Sequence, residues 1–126
     1  MNYKFRGKKV SDNKWVEGDL QNALGGELLI TVLEDTAPTY NNPCGDCVRM
    51  YYEVHPATVG LISSKPDSTG KMIAEGDKIA IKSIPSIHKV MFDGIKFYVS
   101  MSNGIDTIGL DKFRNSDLTI TGTIHD

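Results

Sequence analysis

The chain has 126 residues, of which 14 are basic and 16 acidic, and its formal net charge at pH 7 is −2. This length corresponds to about one domain, so we predict a single domain over residues 1–126. The charge balance argues against a dedicated phosphate-binding protein, because such proteins carry a clear basic excess. The N-terminus lacks the apolar core of a signal peptide, and no stretch approaches the roughly 20 apolar residues that cross a bilayer. We therefore expect a cytoplasmic protein with no membrane partner.

Five short runs have strand character, because they are rich in β-branched and aromatic residues or alternate between polar and apolar ones. In chain order they cover residues 28–33, 50–54, 78–82, 96–99 and 118–124. The last run alternates most cleanly. Its pattern predicts Leu118, Ile120 and Ile124 on one face of a strand and the intervening threonines on the other.

Turn-forming residues separate these runs. Asp93-Gly94 favours a two-residue type I′ hairpin, since both residues accept a positive φ. Gly25-Gly26 and Asn103-Gly104 predict two more hairpins, and residues 66–70 predict a loop rich in turn formers.

Helical periodicity is poor, and only Asp111–Asn115 is predicted to form a helical turn, capped by Asp111. Many short strands with frequent turns are typical of a barrel or a sandwich. At this length we predict an all-β fold, a small, partly closed barrel of short, mostly antiparallel strands with long loops. Closure would remove sheet edges that otherwise pair with other chains.

Residues 34–49 contain two prolines, two asparagines and few apolar residues, which predicts a long exposed loop. Within it, Cys44 and Cys47 have a spacing that can hold one zinc ion, although a structural zinc site needs four ligands. A second such cysteine pair is missing from the sequence. Three interpretations stay open: an ordinary loop, a zinc site completed by a histidine or a second subunit, and a redox pair. We expect no cofactor unless further ligands complete the zinc site.

Lys4, Arg6 and Lys8 share one face if the N-terminus is a strand, and Tyr3 and Phe5 then face the core. Such a basic stripe can contact phosphates, and it is also a common form of solvated strand face. The three cations are therefore the candidate nucleic-acid-binding residues.

The sequence contains no pattern of catalytic residues. His55, His88 and His125 are isolated from one another, and we expect His88 in a loop after Pro85. No serine or cysteine nucleophile has a recognisable base beside it. We therefore name no catalytic residue and expect a protein that is not an enzyme.

Three separated stretches carry motifs with a family resemblance. They comprise Lys4-Phe5-Arg6-Gly7-Lys8 with Trp15-Val16-Glu17-Gly18-Asp19-Leu20, then Pro56-Ala57-Thr58-Val59-Gly60 with Asp67, Gly70-Lys71 and Glu75-Gly76-Asp77, and finally Ile120–Asp126. In order and spacing they resemble the YopX family of phage and prophage proteins. Ser63-Ser64 stands near the place where the family has Thr-Gly, so one glycine is missing. The resemblance implies a mostly β fold and a bacterial mobile-element origin, and it brings no catalytic residues.

The same motifs have a structural interpretation. Gly76 is expected to adopt a positive φ in a tight turn, and Asp77 to accept hydrogen bonds from nearby backbone donors. Trp15 is expected to anchor a core or to cover one end of the barrel. The residues to which we assign a structural role are Trp15, Gly18, Thr58, Gly60, Gly70, Glu75, Gly76 and Asp77.

Three functions follow as hypotheses. The first is a non-enzymatic accessory protein of a phage or mobile element that binds an unidentified host or phage protein, with the 34–49 loop as its contact surface. The second is a small β-barrel protein associated with nucleic acid through the basic stripe. The third is a metal-dependent enzyme that uses Cys44 and Cys47. Homo-oligomer formation is compatible with each.

Overall fold

The computed structural model describes residues 4–35, 47–102, 104 and 106–126. The chain divides into two compact units, Met1–Val59 and Gly60–Asp126, which we call the N-terminal and C-terminal units. Strands dominate both units, as the sequence predicts, and the described helical segments are single 3-10 turns. No helix within the described ranges is long and apolar enough to cross a membrane. The single-domain assignment stays a prediction.

The N-terminal unit contains an antiparallel sheet with the strand order β4-β3-β2-β1. Its strands are β1 (Phe5–Lys8), β2 (Trp15–Asn22), β3 (Leu28–Asp35) and β4 (Cys47–Glu53), and a 3-10 turn (Pro56–Thr58) follows. Alternation along the strands creates one apolar face, on which Ile30 and Val54 are fully buried. Gly18 lies on this face, where a Cβ would overlap the carbonyl oxygen of Thr31. Glycine is thus needed at position 18 because β2 and β3 approach each other closely there, and not because the chain turns.

Hydrogen bonds also connect the end of β1 to the end of β4. Lys9 and Val54 form an antiparallel bridge. The amide of Val10 donates to the carbonyl of Glu53, and that of His55 donates to the carbonyl of Lys8, each at 2.9 Å. The first and last strands of this unit are therefore joined at one end.

The C-terminal unit contains a hairpin of β5 (Gly60–Pro66) and β6 (Met72–Ala74) and a five-stranded antiparallel sheet in the order β10-β9-β8-β7-β11. The strands of the larger sheet are β7 (Asp77–Ile81), β8 (Ile84–Phe92), β9 (Phe97–Ser100), β10 (Thr107–Gly109) and β11 (Leu118–Thr123). The buried core of the C-terminal unit consists of Ile73, Ile79, Ile81, Val90, Val99, Leu110 and Leu118.

Two buried aspartates organise the turns of the C-terminal unit. Asp67 is 4% exposed and accepts hydrogen bonds from the backbone of Thr69, Lys71 and Ile120 and from the Thr69 hydroxyl. Asp77 accepts a bond of 2.8 Å from the amide of Ala74. At these turns both carboxylates therefore accept hydrogen bonds from backbone amides, as a carbonyl of a neighbouring strand would do within a sheet.

The remaining motif residues also lie at turns or close contacts. Gly70 and Gly76 have φ values of +91° and +90°, as expected for Gly76. Gly60 leaves no room for a Cβ beside the carbonyl of Glu75. Thr58 accepts a hydrogen bond of 2.9 Å from the amide of Lys8, which attaches the 3-10 turn to β1.

Two predictions about turns need correction. Asp93-Gly94 does form a hairpin, but Phe92 pairs with Phe97, so the loop has four residues. The carboxylate of Asp93 holds this longer loop by accepting hydrogen bonds from the amides of Ile95 and Lys96. The predicted helical turn at 111–115 is replaced by two 3-10 turns, Leu110–Lys112 and Asn115–Asp117, without a side-chain cap.

In β11 the predicted alternation fails after Ile120. Ile120 pairs with Ile79 and Gly122 pairs with Lys78, so Thr121 is an extra residue in the strand. This bulge reverses the faces of the residues that follow, because the side-chain period of a strand is two. Thr123 is accordingly buried and Ile124 is exposed.

The loop predicted at 34–49 is too long at both ends, because β3 continues to Asp35 and β4 begins at Cys47. Residues 36–46 lie outside the described residues. Closure of the strands into a barrel stays a prediction.

Candidate interaction surface

The polar face of the N-terminal sheet carries the predicted basic stripe. The register pairs Lys8 with Trp15, and cross-strand partners share a face. The guanidinium of Arg6 lies 4.8 Å and the ammonium of Lys8 5.5 Å from the centre of the Trp15 ring. Trp15 is half-buried on this polar face and not in the apolar core. Its ring stabilises both cations by cation–π interaction.

Carboxylates neutralise part of the stripe. The ammonium of Lys4 forms an ion pair of 3.3 Å with Asp19, and Arg6 lies opposite Glu17 in the strand register. Arg6 is only 6% exposed. A depression of about 340 Å³ beside Lys4 is also lined by Glu17 and Asp19. The face therefore presents alternating charge, which is poorly matched to a row of phosphates. Tyr3 lies outside the described residues, and Phe5 is half-buried.

A second surface follows strand β4, which stands at the end of the strand order. The amide of Val54 donates to the carbonyl of Leu28, so Val54 directs its backbone groups towards β3. Because this direction alternates along an antiparallel strand, Arg49 and Tyr51 direct their N–H and C=O groups away from β3. In the described part of the chain, no strand pairs with the outer edge of β4 between Val48 and Tyr52. This edge is available for pairing with another chain.

Apolar side chains are exposed on both faces around this edge. Leu33 is 59% and Tyr51 54% exposed on the polar face, and Val48 and Met50 are exposed on the opposite face. Arg49 reaches back to donate a hydrogen bond of 3.3 Å to the Thr31 hydroxyl. The edge strand thus combines unpaired backbone groups with apolar side chains, the two components of strand-addition sites.

A tyrosine–glutamate hydrogen bond joins β4 to β3. The hydroxyl of Tyr52 donates to the carboxylate of Glu34 at 2.9 Å. This hydrogen bond, more than partial desolvation, raises the pKa of Tyr52. The bond holds β4 against β3 while the outer edge stays exposed.

The cysteine pair is not fully described: Cys44 lies outside the described residues, and only the backbone of Cys47, the first residue of β4, is described. Among the described histidine, cysteine, aspartate and glutamate side chains, no group of three has a metal-binding arrangement. His55 interacts with Asn13 at 2.9 Å. The zinc interpretation therefore stays a prediction.

We expected His88 in a loop, and this prediction was wrong. His88 lies in β8, where it is 2% exposed. Its Nδ1 accepts a hydrogen bond of 3.0 Å from the amide of Ser102. Nδ1 is therefore the unprotonated nitrogen of the ring, and Nε2 carries the hydrogen. His88 connects β8 to the chain that follows β9, which is a structural role.

The sequence predicted a strand only from Met50 onwards and missed the first half of β4. The alternation of Val48, Arg49 and Met50 was a usable signal, but the prolines and asparagines immediately upstream favoured a loop.

Comparisons with protein-family models, with curated proteins and with solved structures gave no match.

Proposed function

We propose that the protein is a non-enzymatic interaction module that binds an extended segment of a partner protein as an added strand along β4. The exposed outer edge of β4, with apolar side chains on both faces, is the observation that supports this function most. Main-chain hydrogen bonds in strand addition supply affinity, and alternate side chains supply specificity.

The composition of β4 favours this interpretation over that of an ordinary edge. Natural edge strands are protected by charged side chains, especially lysine, by proline, by bulges or by short length. β4 has seven residues, contains neither lysine nor proline, and pairs with β3 without a register shift. Between Val48 and Tyr52 its charged side chain is Arg49, which bonds back to Thr31 of β3. A matching partner segment is extended, has apolar residues on the side of Val48 and Met50, and has a carboxylate near Arg49.

The wider biological setting belongs to the same proposal. The resemblance to the YopX family supports an accessory role in a phage or prophage, with a host or phage protein as the partner. The bridge between Lys9 and Val54 supports the partly closed barrel, because it joins the first and last strands of the N-terminal unit.

A proline at position 51 tests the strand-addition function. Tyr51→Pro removes an N–H that points away from β3, and proline is tolerated at such edge positions. Tyr51→Ala is the matched control, since it removes the side chain and keeps the N–H. The partner is captured from lysate of the natural host and then purified. We expect it to bind the Tyr51→Ala variant more weakly than the wild type and not to bind the Tyr51→Pro variant.

Hydrogen exchange provides the second readout. Partner binding should protect the amides of Arg49 and Tyr51, which do not pair with β3. Both variants must retain the wild-type circular dichroism spectrum. Equal binding by Tyr51→Pro and Tyr51→Ala, or protection confined to other strands, would contradict strand addition at β4.

Nucleic-acid binding is the second candidate, supported by Trp15 between Arg6 and Lys8 on a sheet face. Arg6 is buried, so a charge reversal at this residue would disturb folding as well as binding. The double variant Lys4→Glu with Lys8→Glu is therefore used. Fluorescence anisotropy with a single-stranded oligonucleotide at 50 and 200 mM salt should show salt-sensitive binding that this variant loses. Lys14→Glu with Lys89→Glu, at two exposed lysines outside the stripe, is the charge-matched control. Salt-insensitive binding, or equal loss in the control, would contradict a phosphate-binding stripe.

A further inference from the structure

A separate depression lies within the C-terminal unit, where β5, the start of β9 and the 3-10 turn after β10 meet. Its volume is about 320 Å³, and it is lined by Ser63, Ser64, Lys65, Lys96, Phe97, Leu110 and Asp111. This is at the lower end of the volumes of small-molecule sites, which begin near roughly 300 Å³. The space suits one ring with a small substituent.

The floor of the depression is apolar and anchored in the core. Leu110 is 3% exposed and belongs to the buried core cluster, and Phe97 packs against that cluster. A flat ring placed on the Phe97 side chain would make the offset or edge contacts that aromatic pairs prefer.

Two cations stand at the rim. Lys65 and Lys96 line the depression, and within the described residues neither ammonium forms a direct ion pair or hydrogen bond. The Asp93 carboxylate, whose pKa is lowered mainly by hydrogen bonds from the amides of Lys96 and Ile95, also attracts the Lys96 ammonium at longer range. The backbones that carry them are fixed: the Ser63 hydroxyl bonds to both backbone groups of Lys65, and the Asp93 carboxylate accepts from the amide of Lys96. Asp111 is the one carboxylate in the lining, so the lining residues carry two cations and one anion, with Asp93 outside the lining near Lys96.

We propose that this depression binds a small aromatic anion, a ring that bears a phosphate or carboxylate group. The ring lies on Phe97 and Leu110, and the anionic group lies between the ammonium groups of Lys65 and Lys96. Asp111 accepts a hydrogen bond from a hydroxyl or amino substituent on the ring. The site is distinct from the edge of β4 and does not depend on the function proposed for it.

Phenyl phosphate is the probe, with inorganic phosphate and phenol as its separate halves. Amide chemical shifts in a titration of the full chain should move for residues of the lining, with a dissociation constant of about 1 mM or lower, as expected of a ligand of this size. Each half alone should bind at least about tenfold more weakly, because each makes only part of the contacts.

Charge variants supply the decisive readout. Lys65→Met or Lys96→Met should weaken phenyl phosphate binding about two- to fivefold, the range of an exposed ion pair. Asp111→Asn should strengthen it by a similar factor, because a like charge is removed. Lys89→Met, on an exposed part of β8, is the matched control and should have no effect. Equal affinity for inorganic phosphate and phenyl phosphate, shifts outside the lining, or insensitivity to both lysine variants would overturn the proposal.

Discussion

Asp67→Asn is the sharpest test of how the C-terminal unit is held together. The carboxylate accepts three hydrogen bonds at Oδ1, from the amides of Thr69 and Lys71 and from the Thr69 hydroxyl, and one at Oδ2, from the amide of Ile120. Asparagine keeps one acceptor oxygen, so its NH₂ group must face a donor. At about 1.5–3 kcal/mol for a bond to a charged group, the loss at Ile120 alone predicts a destabilisation of about 1.5–3 kcal/mol.

The pH dependence follows from the same contacts. Burial raises the pKa of Asp67, but the hydrogen bonds from Ile120, Thr69 and Lys71 outweigh it and hold the pKa below its ordinary value of 3.8. A carboxylate with a lowered folded pKa stabilises the protein fully above its ordinary pKa and loses that contribution as the pH falls through the folded value. The difference between wild type and Asp67→Asn should therefore be constant from pH 7 to about pH 5 and shrink below about pH 4.

The assay is urea unfolding followed by circular dichroism at several pH values, with hydrogen exchange of the Ile120 amide as a local readout. Asp19→Asn is the control, because it makes the same chemical change in an exposed ion pair. Its cost should stay below about 1 kcal/mol. A cost for Asp67→Asn equal to that of the control, or a difference that does not change down to pH 2, would refute the reasoning.

Two further substitutions test close packing and a buried hydrogen bond. Gly18→Ala should destabilise the protein by about 2 kcal/mol or more, because the new methyl group overlaps the carbonyl of Thr31, a cost typical of overpacking. Gly26→Ala, in an open turn with φ +91°, should cost only about 1–2 kcal/mol; urea unfolding that reverses this order would contradict the packing argument. His88→Phe should cost about 1–3 kcal/mol and accelerate exchange of the Ser102 amide, which loses its acceptor; unchanged exchange would exclude this role for His88.

Local chemistry explains what the sequence predicted well. The hairpins at Gly25-Gly26 and Asp93-Gly94 each depend on one glycine with a positive φ, Gly26 at +91° and Gly94 at +96°. The strands on either side follow a period that is visible in the chain. Loop length was not predictable in the same way. The Asp93 carboxylate holds a four-residue loop by accepting hydrogen bonds from Ile95 and Lys96, and Phe92 pairs with Phe97 on the two sides of that loop. An Asp-Gly pair in the sequence does not report which of the two loop lengths forms.

Non-local contacts explain what the sequence did not predict. The bulge at Thr121 arises from pairing with β7 and cannot be read from an uninterrupted alternation. The common face of Lys4, Arg6 and Lys8 follows from the strand period, but the contact of Arg6 with Trp15 depends on the pairing of β1 with β2. The exposed edge of β4 could be identified only from the strand order of the sheet, because no run of residues in the sequence reports which strand is outermost.

The junction between the ends of β1 and β4 has a consequence for the order of folding. Pairs β1–β2, β2–β3 and β3–β4 join neighbours in sequence, so each can form soon after its second strand is available. The bond from the amide of Lys8 to the Thr58 hydroxyl instead joins residues 50 positions apart. Chain entropy opposes such a long closure until the hairpins have shortened it. We expect this junction to form last during folding and to open first when the chain is pulled or denatured. Unfolding of the N-terminal unit should therefore begin where the ends of β1 and β4 meet.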